Sequence, residues 1–307
     1  MFRLSSPRPR SVAVAILCTA FVTATAGTAW RGSAAAAQQR PLPDKDAFLA
    51  EVRKHLQTDQ ALQSSYTYIE TRREQKLDDE GRVTEETVKV FESSPGLPGE
   101  RRWERLIAED GKPVPAEELA EQDRERRKRA QEIARRMARE PRKEHERQVR
   151  AWEEYRRENA RMVDDIFRVF EIAMVGRVPI DGHDTIAFRL TPRPEADPQT
   201  REGGMMRHFA VDAWISERDY ELVRLHAEAI DTVSIGFGLL ARIHEGARFA
   251  FERRNVNGEV WLPLSSSYSG SARVGLLKTV RRSGSSEYSN YRKFIVSTTS
   301  SAAEAQP

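Results

Sequence analysis

Cysteine is all but missing from this 307-residue chain: the single copy, Cys18, lies in the apolar run at the N-terminus. A chain without a thiol beyond that run is excluded from thiol catalysis and from disulfide stapling, and at this length its own core can hold it. The six histidines, His55, His145, His183, His208, His226 and His244, show neither the i,i+4 pairing on a helix nor the carboxylate company of a zinc site, so each is read as a surface or packing residue. No G-x-S-x-G is present, so there is no nucleophile elbow. Crossover helices between strands are missing too, which argues against a parallel sheet. Carboxylate pairs abound, but at 32% charged residues they carry no information about catalysis.

A strong net charge is also lacking once the N-terminus is set aside. Arg3, Arg8 and Arg10 precede an uncharged run from Ser11 to Trp30, and Ala35, Ala36 and Ala37 supply a small-x-small cleavage pattern before Gln38. This reads as a secretory signal peptide over residues 1–37; an uncleaved anchor is the alternative, since the run is almost long enough to span a bilayer. Leu17 before Cys18 does not fit a lipid-anchoring motif. Of 50 Lys and Arg against 47 Asp and Glu, four arginines and no acid precede Gln38, leaving 46 against 47. The basic character belongs to the leader, and a general case for nucleic-acid binding disappears. The expected location is the periplasm.

After Pro41 and Pro43, Asp44 or Asp46 can cap a helix with Phe48, Leu49, Val52 and Leu56 at helical spacing. Strands are expected over Tyr66–Leu77, Val83–Phe91, Arg101–Ala108, Glu171–Val178, Thr185–Leu190, Ala247–Val256 and Glu259–Tyr268, with a last pair, Arg273–Arg281 and Glu287–Val296, turning at Ser283-Gly284. Asp110-Gly111, Asp181-Gly182 and Asn257-Gly258 mark tight turns. The hairpin His208 to Ile230 is the most informative stretch: Phe209, Val211, Ala213 and Ile215 alternate with Asp212 and Trp214, then Ser216 to Asp219 turn the chain into Leu222, Val223 and Leu225. Nine or ten antiparallel strands in a meander tend to curl, and an amphipathic helix can fill the concave side. Residues 297–307 read as a frayed polar tail.

The stretch 116–170 differs in kind. It is dense in Glu, Arg and Lys, with a thin apolar stripe at Ala130, Ile133, Ala134 and Met137, a break at Pro141, and a fuller stripe from Val149, Trp152 and Tyr155 to Phe167. It is either a solvated helical insertion held by i,i+4 pairs or an arm or lid that meets a partner. Gly236 to Ala241 match the dinucleotide fingerprint in its Ala-ending form, but only five residues separate it from the next strand, too few for the helix that would hold a pyrophosphate. The surrounding Ile235, Phe237, Leu239, Leu240 and Ile243 are either core or the lining of an apolar cavity. Basic residues gather near the C-terminus at Arg273, Lys278, Arg281, Arg282, Arg292 and Lys293, as a protected sheet edge or as a contact for anionic headgroups or an acidic partner.

The order of leader, amphipathic helix and hairpin, with the blocks Ala213-Trp214-Ile215, Leu222-Val223-Arg224, Asn257 to Pro263 and Tyr288 to Phe294, resembles the outer-membrane lipoprotein-sorting (LolA/LolB-like) proteins of bacterial envelopes. The resemblance covers most of Asp44 to Val296. It implies an α+β, mainly antiparallel fold: a curved half-barrel sheet with helices on the concave side, one domain over 38–296, to which this chain adds the charged insertion. It implies a protein without cofactor or catalytic residues that carries lipoproteins or binds lipid; some members are envelope-stress sensors. Shelter for an acyl chain of about sixteen carbons is worth on the order of 10 kcal/mol, at about 0.8 kcal/mol per CH₂. The expected function is non-enzymatic binding of lipid or lipoprotein acyl chains in a cavity lined by Trp214, Leu222, Phe237, Leu239, Phe249 and Phe251. The alternative is an envelope interaction or sensor protein that binds a protein partner through residues 116–170.

Overall fold

A computed structural model describes residues 40–58, 65–96, 102–235, 241–274 and 278–293. The expected signal peptide and polar tail lie outside them. Among the described residues, four helices and thirteen strands follow in order: α1 (Lys45–Thr58), β1 (Tyr66–Leu77), β2 (Val83–Ser94), β3 (Trp103–Glu109), β4 (Lys112–Pro113), α2 (Ala116–Arg139), α3 (Pro141–Val169), β5 (Phe170–Ile180), β6 (His183–Pro192), α4 (Arg201–Met206), β7 (Phe209–Ser216), β8 (Leu222–Ala229), β9 (Val233–Ile235), β10 (Ala241–Ile243), β11 (Arg248–Val256), β12 (Val260–Val274) and β13 (Lys278–Lys293).

All strands belong to one antiparallel sheet in the order β4-β3-β2-β1-β13-β12-β11-β8-β7-β6-β5, with the short β9–β10 hairpin attached at β12. The sheet is curved and open: its outer strands, β4 and β5, do not pair. Two meanders meet where β1 pairs with β13, Tyr66 opposite Lys293 through Leu77 opposite Arg281. The turn pairs Asp110-Gly111, Asp181-Gly182 and Asn257-Gly258 each place both residues at positive φ. That is the mirror-image turn whose twist suits tight hairpins, and it selects Asn or Asp followed by Gly.

Asp44 caps α1, its carboxylate accepting from the Ala47 N–H at 2.8 Å. The apolar side of α1 then places Phe48 and Val52 against Val169, Phe170, Ile186, Phe188, Leu190, Ala213 and Ile215, the largest buried cluster. Phe48 stacks on Phe188 with ring centroids 5.7 Å apart. A fully buried side chain of this size contributes roughly 1.5–3 kcal/mol. Beneath α1, Arg177 is buried and donates to both oxygens of Glu217 (2.6 and 2.7 Å) and to the Pro41 carbonyl at 3.0 Å, which ties the approach to α1 onto β5. The paired carboxylate raises the Arg177 pKa despite its burial.

Two sequence expectations are corrected. Ser283-Gly284 is no turn: it lies inside the sixteen-residue β13, paired on one side with Gln75 and Glu74 and on the other with Ser269 and Tyr268. The Tyr268 ring lies over Gly284 and supplies the cover that a glycine lacks, so small residues here continue a strand. The basic residues around it do not guard an edge, because β13 is central. Two of them meet acids of neighbouring segments, Arg281 with Asp79 and Lys293 with Glu259. The Pro- and Gly-rich loop after β6 also contains a short helix, α4, capped by Thr200, whose hydroxyl accepts from the Gly203 N–H.

The insertion bridges the sheet's two edges. It leaves β4 at one edge and enters β5 at the other. Eleven strands span roughly 48 Å at the usual spacing, and helices of 24 and 29 residues are about 36 and 44 Å long. Two long helices are what such a connection requires.

Candidate binding site

The ladder registers sort the sheet's side chains onto two faces. On the face that α1 covers, one row runs Phe188, Ala213, Leu225, Phe251, Ser266, Ser286 and Arg72 from β6 to β1. The neighbouring row runs Leu190, Val211, Ala227, Phe249, Tyr268, Gly284 and Glu74. Helix α1 and its neighbours cover these rows only as far as β8. Beyond that cover, Phe249 is 41% and Tyr268 44% exposed, with Phe251 and Leu225 half-buried beside them. An apolar strip thus crosses β8, β11 and β12 in the open.

The opposite face carries a different chemistry. Its two matching rows are Arg189, Asp212, His226, Ala250, Ser267, Ser285 and Arg73, and Ala210, Glu228, Arg248, Ser269, Ser283 and Gln75. These residues line a groove of about 670 Å³ that runs across seven strands. Its middle is a floor of serines, and its cations are matched: Arg189 with Asp212 at 3.0 Å, Arg248 with Glu228 at 3.2 Å, Arg73 with Glu86 at 2.6 Å. The lining mixes these polar groups with apolar surface from Ala210, Val211, Ala227, Phe249 and Ala250, so it can hydrogen-bond a polar chain along a floor that is only partly apolar. Beside the groove on the same face, Trp261, Val223 and Ile180 form a buried cluster with Trp214 packed against it. Trp261 Nε1 donates to Asp219 at 3.1 Å, and His183 meets the Trp261 ring edge-on.

The sequence-derived lining residues are therefore not brought together in one place. Leu222 packs on the α1 core, and Trp214 packs on the opposite face against the Trp261 cluster, its ring 5.1 Å from that of His226. Phe249 and Phe251 share the uncovered strip, and Phe249 also borders the groove. Phe237 and Leu239 lie outside the described residues. Ala241 pairs with Ile235 in an antiparallel hairpin, and residues 236–240 of the glycine fingerprint lie outside the described residues. Among the described residues no group of His, Cys, Asp or Glu is placed to hold a metal ion, and no helix is long and apolar enough to cross a membrane. Sequence reasoning missed the groove, whose residues alternate with the apolar ones and whose only signal was the run of serines around Ser267 and Ser283.

The insertion is fixed at both roots. On α2, the Gln122 side chain bonds both the N–H and the carbonyl of Leu106 (3.1 and 3.2 Å), Asp123 meets Arg105 at 2.8 Å, and the Arg126 guanidinium lies 4.0 Å from the Trp103 ring centre. On α3, Asp165 is fully buried and accepts from the Gln199 N–H (2.8 Å), the Thr200 N–H (2.7 Å) and the Thr200 hydroxyl (2.6 Å). Burial pushes its carboxyl up, but these donors, with Arg168, outweigh it and hold the pKa below the usual carboxylate value.

No family model matches the chain, and no match was found among curated proteins. Among solved structures the chain is similar to a LolA superfamily protein from Nitrosomonas europaea, at 8% identity over 82% of this chain and 94% of that one, with a TM-score of 0.28. It is similar to a domain described as an outer membrane lipoprotein-sorting protein from Vibrio parahaemolyticus, at 8% identity over 80% and 90%, TM-score 0.31. It is also similar to a chain of the Pseudomonas aeruginosa MucA/MucB complex, at 8% identity over 82% and 100%, TM-score 0.22. The lipoprotein-sorting resemblance noted in the sequence recurs among these structures.

Proposed function

We propose that the chain is an exported, non-enzymatic binding protein of the cell envelope, and that its ligand is a lipid or the acyl chain of a lipoprotein. The observation that carries this is the apolar strip beside α1: Leu225, Phe249, Phe251 and Tyr268 extend the buried core face past the last helix contact. Large aromatic side chains left open next to a core are unusual on a surface with no ligand or partner. An acyl chain laid along the strip lets each methylene leave water, at about 0.8 kcal/mol apiece. The groove on the other face interrupts its apolar surface with serines and ion pairs, so the proposal stands on the strip. Location in the periplasm follows from the leader-like residues 1–37.

Binding of a fluorescent fatty acid tests it. The double variant F249D/F251D is expected to lose binding at least about tenfold, each aspartate removing apolar contact and placing a charge in the path of the chain. The control S267A/S285A, in the groove, should leave binding unchanged. If the protein binds no fatty acid, or if the two double variants behave alike, the strip is not the site.

A further inference from the structure

Between its two anchored roots the insertion is net cationic. Residues 124–155 hold twelve Lys and Arg against seven Glu, a net of +5, in a chain that nets −1 from Gln38 onward. Arg124, Arg127, Lys128, Arg129, Arg135 and Arg139 of α2 are exposed, as are Arg142, Lys143, Arg147 and Arg150 of α3. Two of the acids are shared: Glu140 faces both Lys143 (3.4 Å) and Arg147 (4.0 Å), and Glu146 faces both Arg142 (3.7 Å) and Arg150 (3.9 Å). Cations remain in excess along the stretch, and that excess sets its field.

Apolar residues lie in the midst of this charge. Val149 (41% exposed), Trp152 (56%) and Tyr155 (43%) follow one another at three-residue spacing on α3. They continue the side of α3 that, nearer its C-terminus, is buried through Val163 and Ile166. The apolar side of the helix thus runs on for about two turns with half-exposed side chains, and Arg156 lies over the Trp152 ring at 4.9 Å. An amphipathic helix with Trp and Tyr on one side and a cationic surround has the composition that settles at a lipid interface, where aromatic rings sit at headgroup level and guanidinium groups meet phosphate. It needs no complementary pocket to do so.

We propose that the middle of the insertion, from Arg124 on α2 to Tyr155 on α3, docks on a membrane leaflet that carries anionic phospholipid. The proposal is independent of what the apolar strip binds, and F249D/F251D is expected to leave docking intact.

Cosedimentation with vesicles of equal parts phosphatidylglycerol and phosphatidylcholine, against phosphatidylcholine alone, tests it at low and physiological salt. The protein should sediment with the anionic vesicles, weaken as salt rises, and stay in solution with the neutral ones. The triple reversal R135E/R139E/K143E should lower partition by roughly a hundredfold or more, since each cation near the surface is worth about fivefold. W152S/Y155S should lower it by about tenfold and abolish a vesicle-induced blue shift of tryptophan fluorescence. Circular dichroism and urea midpoints guard against misfolding, and the substituted side chains are exposed. Failure to bind anionic vesicles, or binding that ignores the charge reversals, overturns the proposal. So does binding to polyglutamate that matches the vesicles in strength and is unaffected by W152S/Y155S, which would assign the arm to an acidic protein partner.

Discussion

Replacing Asp165 probes how the charged arm is fixed to the sheet. The buried carboxylate takes three donors from residues 199 and 200, and the Thr200 hydroxyl, donating to Asp165, accepts in turn from the Gly203 N–H at 2.9 Å. Each bond to a charged acceptor is worth about 1.5–3 kcal/mol when broken alone, but they share one carboxylate whose desolvation is relieved on removal, so Asp165→Ala is expected to cost about 3 kcal/mol in all. Asp165→Asn keeps the shape and an acceptor and should cost about 1–2 kcal/mol at neutral pH. The pH dependence separates charge from shape. The folded pKa lies below the unfolded one, so the unfolded chain binds more protons in the window between them and stability rises with pH there. The carboxylate's contribution is complete above the unfolded value of about 3.9 and is lost as pH falls through the folded value. Urea unfolding should therefore show a wild-type advantage over Asp165→Asn that holds down to roughly pH 5 and closes in stronger acid. A β-carbon at position 203 would overlap the Asp165 carboxylate, so Gly203→Ala should destabilise the wild type by about 1–3 kcal/mol and cost much less in an Asp165→Ala background. Additive costs, or an advantage over Asp165→Asn that is the same in acid and at neutrality, would refute this account of the root.

Further outcomes follow from the fold. Arg177→Met should cost about 2–3 kcal/mol by leaving Glu217 without its partner, and adding Glu217→Leu should recover part of it, as read by thermal melting of the single and double variants. Trp261→Ala should cost about 3–5 kcal/mol from the cavity left against Ile180 and Val223, whereas Trp261→Phe should cost about 1 kcal/mol for the hydrogen bond to Asp219, both measured by urea midpoints. Gly258→Ala places a side chain at positive φ in the β11–β12 turn and should cost about 1 kcal/mol without changing the denaturant slope.

Local chemistry made much of the sheet legible. The span Tyr66–Leu77 and the turns at Asp110-Gly111, Asp181-Gly182 and Asn257-Gly258 are expected and found, because Asn-Gly and Asp-Gly carry a backbone requirement within two residues. The errors arise where the deciding contact is distant in sequence. Ser283-Gly284 has the composition of a turn, and only the Tyr268 ring from the next strand makes it a strand interior. The central place of β13 depends on pairing with β1, more than two hundred residues earlier, which no local pattern encodes. At the candidate site the same limit applies. Alternation identifies two faces, but not which strand an adjacent helix stops covering, so Leu222 and Phe249, similar in sequence context, differ in the structure: one is core and the other is open.

The two faces of the sheet divide the chemistry in a way that constrains any function assigned to it. Between β8 and β1 the helix-bearing face passes from Leu225, Phe251 and Phe249 to Ser266, Ser286, Arg72 and Glu74, while the other face carries serines and ion pairs interleaved with small apolar residues. An apolar ligand on the first face is therefore bounded: beyond β12 it meets Glu70, buried and held by Arg72 at 3.0 Å and by the Ser286 hydroxyl at 2.7 Å. An acyl chain would lie beside α1 and end its apolar contact before β1, with any polar headgroup left toward Arg72 and Glu74. The strip's polarity gradient fixes that direction, because reversing the chain would bury the headgroup against Phe188 and Ala213 and leave it without partners. Replacing Glu70 with Leu and Glu104 with Gln while keeping Arg72 would remove both carboxylates that face its guanidinium, and a ligand that places a phosphate or carboxylate there should gain affinity while a neutral ester should not. Equal gains for both, or none, would mean that the chain does not run along the row from β8 toward β1.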